Sequence, residues 1–88
     1  MAGEIDALRA KVEADPADNQ ARFDFAVAAF ATNDAEAAID SLVEIIRRKR
    51  DWNEDAARTE LLKIFEALGP TDPLTASGRR KLSSVLFS

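Results

Sequence analysis

The chain of 88 residues has no cysteine, no histidine and no tyrosine, with three glycines, three prolines and a single tryptophan. Without cysteine there is no disulfide, no thiol nucleophile and no thiolate metal site. Without histidine the commonest general base and metal ligand are gone as well. The expectation is a non-enzyme, with no catalytic, cofactor or metal residues. No apolar run approaches the roughly 20 residues needed to span a bilayer. The opening Met-Ala-Gly-Glu-Ile-Asp also lacks a basic stretch followed by an apolar one. No membrane association is therefore expected, and the expected location is the cytoplasm. Glycine-rich loops and strand-like alternation are missing too, which leaves helices joined by short polar turns.

What is present suits a folded chain. Hydrophobic residues make up 47% and charged residues 32%, which argues against disorder. At this length one domain fits, of modest stability. The net charge of -4 is unevenly spread. Residues 1 to 46 carry 3 basic and 10 acidic side chains, net -7, whereas residues 47 to 88 carry 9 and 6, net +3. An acidic chain is a poor match for a phosphate backbone, so no nucleic acid is expected as partner.

Apolar spacing predicts five helices. Ile5, Leu8 and Val12 define the first, over 4–14, which stops ahead of Asp15-Pro16. The second begins near Asp18 or Asn19 and runs to Ala31. It is apolar almost all round after Arg22, so it needs cover on more than one side. Thr32-Asn33-Asp34 is a tight break in which Asn33 can turn left-handed and Asp34 can cap. The third helix carries the clearest stripe, Ala35, Ala38, Ile39, Leu42, Ile45 and Ile46, and closes in the cations Arg47 to Arg50. Either Asp51 with Glu54 or Asn53 with Trp52 starts the fourth, which bears Ala57, Leu61, Ile64, Phe65 and Leu68 and ends at Gly69-Pro70. Asp72-Pro73 opens the fifth, with the stripe Leu74, Gly78, Leu82, Val85, Leu86, which runs out at Leu86-Phe87-Ser88.

Residues 19–52 form a 34-residue unit, and this hairpin resembles one tetratricopeptide (TPR) repeat: Phe25-Ala26, then Asn33-Asp34 at the turn, then Ala38-Ile39, Leu42 and Ile45. It departs from the usual pattern at Arg22, where an aromatic is common, and at Arg50, where a proline is expected. The expected fold class is therefore all-α, a right-handed α-solenoid fragment of TPR-like hairpins. Residues 4–14 would be the second helix of a truncated repeat and 53–88 a divergent C-terminal cap. The chain would then be the C-terminal portion of something longer, with Met1–Gly3 a start of uncertain origin. Apolar ends left by such a truncation could pair two copies as a homodimer.

Over nearly its whole length the chain also resembles the C-terminal TPR region of bacterial thioredoxin-like co-chaperones, the YbbN/CnoX-type chaperedoxins. The stretches that carry the likeness are Glu13 to Asp18 leading into Ala21 to Ala26, Leu42 to Arg47, Phe65 to Pro73, and Gly78 to Ser88. The last two are the more specific. The resemblance implies a thioredoxin-fold domain outside this chain and a TPR arm that binds unfolded client proteins and engages the chaperonin through its C-terminal helix. Leu82 and Val85 would dock on the fourth helix. The expected partner-binding residues are Arg79, Arg80, Lys81, Val85, Leu86 and Phe87: Leu86 either caps the solenoid with Leu82 and Val85 or, with Phe87 and flanked by the three cations, enters a partner groove. The alternative function is a TPR adaptor of an unrelated assembly that grips one defined peptide.

The remaining features have plain readings. Arg47 to Arg50 suit a helix C-terminus, with Glu44 and Arg48 paired at i, i+4. Glu36, Asp40 and Glu44 form a solvated strip rather than a metal site. Trp52 is a packing contact, and among the phenylalanines only Phe23 could line a groove.

Overall fold

The computed structural model describes residues 2–87, so Met1 and the expected terminal Ser88 lie outside the described residues. Five helices follow in order: α1 (Ala2–Ala14), α2 (Asn19–Ala31), α3 (Ala35–Arg48), α4 (Ala56–Leu68) and α5 (Pro73–Leu86). There is no strand among the described residues.

Local chemistry sets most of the boundaries. Asp18 is the cap of α2, its carboxylate accepting from the amide of Ala21 at 3.0 Å. At the far end of α2, Asn33 adopts φ 71°. The amide of Asn33 bonds the carbonyl of Phe30 at 3.1 Å and that of Asp34 bonds Ala29 at 2.8 Å, a closed Schellman arrangement. Asp34 then accepts from Ala37 to start α3. The same residue therefore finishes one helix with its backbone and begins the next with its side chain. Gly69 ends α4 at φ 91°, ψ 159°, a region open to glycine alone. Asp72 caps α5 ahead of Pro73.

The α3–α4 connection departs from expectation. Neither Asp51 nor Asn53 caps α4. Instead Asn53, Glu54 and Asp55 all take positive φ (48°, 55° and 64°), and α4 begins at Ala56 with no side-chain cap. Just ahead of this run Trp52 packs against Phe23 of α2, ring centroids 5.6 Å apart, and the amide of Ala56 closes the turn on the carbonyls of Trp52 and Asn53.

α3 is the hub. It packs substantially against α2, α4 and α5, and its stripe residues Ala38, Ile39, Leu42, Ile45 and Ile46 are all buried. Ala26 and Ala38 are fully buried small residues on the two helices of the first hairpin. Leu42, Ile45, Leu61 and Ile64 complete the centre, each burial contributing about 1.5–3 kcal/mol. α5 packs against α3 as well as α4, and Gly78 lets it close on both: a Cβ there would lie 2.5 Å from the Phe65 ring of α4 and 3.2 Å from Ile39 of α3. α2 has the cover on more than one side that its apolar surface requires, from α1 and from α3, and keeps an open strip of Gln20, Asp24, Val27 and Ala31. Its hydrophobic content exceeds what its neighbours bury.

Candidate protein-binding surface

The residues expected to face a partner cluster on α5, but most already have work within the chain. Lys81 reaches Asp40 of α3 at 2.6 Å. The Arg79 guanidinium sits 5.6 Å from the centroid of the Phe65 ring. Val85 and Leu86 are half-buried against the core, and their carbonyls accept from Arg50. Arg80 is exposed on the outer side of the helix. Phe87, at the cap of α5, is 83% exposed, more than any other large apolar residue described.

Phe87 borders a groove of about 260 Å³ between α4 and α5. Its apolar lining comes from Leu62, Phe65, Leu82 and Leu86, and its charged groups are Arg58 and Arg79. Leu62 is 46% exposed. No carboxylate lines this groove. It can accept an apolar side chain while holding nearby negative charge, and it contains no nucleophile paired with a base.

A second, larger groove of about 690 Å³ lies between α1 and α2. Ile5, Leu8, Phe23, Val27, Ala28 and Ala31 line it, with Glu4 and Asp24 at the rim. Phe23 thus does line a groove, as its position suggested. The extent of the groove was not readable from sequence, because it depends on how far α1 splays from α2. The signal that could have found it is the surplus of apolar residues on α2.

The acidic strip of α3 is not simply solvated. Asp40 holds Lys81, and Glu44 holds Arg48 at 2.7 Å as well as Arg47. The Arg47 hydrogen bond is the main reason that the Glu44 carboxyl sits below its ordinary range. Partial burial pulls the other way, and Arg48 adds to the lowering. Arg47 is in turn pushed up by Glu44. Arg50, expected among the cations ending α3, lies outside that helix. Arg22, the departure from the repeat pattern, donates to the carbonyl of Pro16 at 2.8 Å and so braces the α1–α2 turn. Among the described residues no group of acidic side chains could hold a metal ion, and no helix is long and apolar enough to cross a membrane.

A family model described as tetratricopeptide repeat matches residues 1–87. Uncharacterized proteins of Mycobacterium tuberculosis and Mycobacterium bovis are 35% identical to the chain over 54 residues. The match covers 61% of this chain and 18% of each relative, so the chain spans under a fifth of their length. No solved structure matches.

Proposed function

We propose, from the premise that this chain belongs to the tetratricopeptide repeat family, that it is the non-catalytic protein-binding arm of a thioredoxin-like co-chaperone in the bacterial cytoplasm. In this reading it binds unfolded clients and docks to the chaperonin through α5. The family is a helical scaffold for protein–protein contact. The observation that carries the finer reading is Phe87, 83% exposed. In the stretches that resemble the co-chaperones, Gly69, Asp72, Pro73, Gly78 and Leu82 each have a job in the fold. The side chains of Arg80 and Phe87 are exposed, which leaves them for a partner. An aromatic beside a groove flanked by arginines is a common anchor for binding.

The test is a chaperonin pull-down with Phe87→Ser and Arg80→Ser. Both residues are exposed, so the thermal melt should stay within about 2 °C of the parent, while capture falls at least about tenfold. Undiminished capture refutes the docking role. The rival reading, an adaptor that grips one defined peptide, is separated by running an aggregation-suppression assay beside a peptide array. Suppression across unrelated clients supports the co-chaperone, and a single strong peptide hit supports the adaptor.

A further inference from the structure

The two grooves carry opposite charge. The α1–α2 groove is rimmed by Glu4 and Asp24 with no basic residue, and the α4–α5 groove by Arg58 and Arg79 with no acidic one. α3 stands between the helices that form them, and the halves of the chain to which they belong differ as -7 and +3 in net charge. The first surface is the roomier hollow, whereas the second projects Leu62 and Phe87 into solvent.

We propose that these surfaces are complementary and that the chain associates with further copies of itself head to tail. Leu62 and Phe87 of one copy enter the α1–α2 groove of the next, with Arg58 and Arg79 brought to Glu4 and Asp24. A symmetric dimer of two α1–α2 grooves would set acidic rims against each other, and one of two α4–α5 surfaces would oppose arginines. Both are disfavoured by like-charge contact. The two halves of the interface use different helices, so a pair leaves one surface of each kind free, and copies add on into a chain or a ring rather than stopping at two. Contact through two small grooves makes the association weak and sensitive to salt. The inference goes beyond the co-chaperone reading. Phe87 serves both, yet the test needs only the purified chain, so its failure would leave chaperonin docking standing.

Sedimentation velocity from about 10 µM to about 1 mM at low ionic strength measures the mass. The parent should rise from the monomer mass of 9.6 kDa with concentration, without levelling at twice that value. Glu4→Arg/Asp24→Arg, which breaks the groove, and Leu62→Asp, which breaks the projecting surface, should each remain monomeric. An equimolar mixture of the two retains one intact interface and should level at a 1:1 dimer. A parent that stays monomeric, a Leu62→Asp chain that still pairs, or a mixture that stays monomeric overturns the proposal. All three substituted positions are exposed, and circular dichroism confirms that each variant is folded. Val27→Glu and Arg58→Glu repeat the test from the same two surfaces.

Discussion

Arg50, two residues beyond the end of α3, donates from Nη2 to the carbonyl oxygen of Leu86 at 2.9 Å and to that of Val85 at 3.3 Å. The last carbonyls of a helix have no intrahelical donor, and the C-terminal end of the macrodipole favours a cation. A side chain that sequence places at the end of its own helix therefore closes another, 36 residues later.

Arg50→Ala should lower stability by about 0.5–1 kcal/mol. Amide exchange of Leu86 and Phe87 should quicken far more than that of Leu42 or Ile45. Arg50→Lys should restore only part of the protection, because an ammonium cannot present the planar set of donors. Native-state hydrogen exchange by NMR checks both. Unchanged exchange at the end of α5 would mean that the contact holds nothing.

Gly78→Ala adds a methyl group 2.5 Å from a ring carbon of buried Phe65. Overpacking costs about 1–3 kcal/mol and the better helix former returns about 1, so a net loss of up to about 2 kcal/mol is expected in urea unfolding. Pairing it with Phe65→Leu should cost less than the two single changes added together. A variant about 1 kcal/mol more stable than the parent would show that α5 backs away from Phe65 freely.

Glu54 holds φ 55° with neither the freedom of glycine nor the local hydrogen bonding of asparagine. Left-handed backbone costs about 1–2 kcal/mol for such a residue, against about 0.5–1 for the greater entropy loss of glycine. Glu54→Gly should thus stabilise by about 0.5–1 kcal/mol, visible as a higher Tm. A lower Tm would indicate that the turn depends on the Glu54 side chain.

Glu44 supplies a pH test. Its folded-state pKa lies below the ordinary 4.5, chiefly through the Arg47 hydrogen bond. The stabilisation is complete above the unfolded value and fades as pH falls through the lowered folded one. Glu44→Gln should cost about 0.5 kcal/mol at pH 7, and the gap between parent and variant should narrow as pH falls below the ordinary carboxylate range. A gap unchanged by acid would locate the effect elsewhere.

Much of the fold was legible because its causes are local. The stripe of α3, the caps Asp18, Asp34 and Asp72, and the stop at Gly69-Pro70 each depend on residues within a turn or two. The left-handed run at 53–55 was not legible, since no glycine marks it and it adjoins a contact of Trp52 with Phe23 from another helix. Nor was the seat of α5, which follows from Gly78 against Phe65 and Ile39. The candidate site divides the same way. Basic and apolar character at 79–87 is plain in the chain, but that Lys81 is held by Asp40 and Arg79 lies over Phe65 depends on pairs 41 and 14 residues apart. Helical periodicity carries no information about such pairs.

The central position of α3 gives the molecule an uneven architecture of failure. α1 packs substantially against α2 and no other helix, so its loss leaves the packing of α3 with α4 and α5 untouched. α2, α4 and α5 all have α3 as their main support. A lesion in Leu42 or Ile45 would therefore weaken both the hairpin before it and the pair after it together.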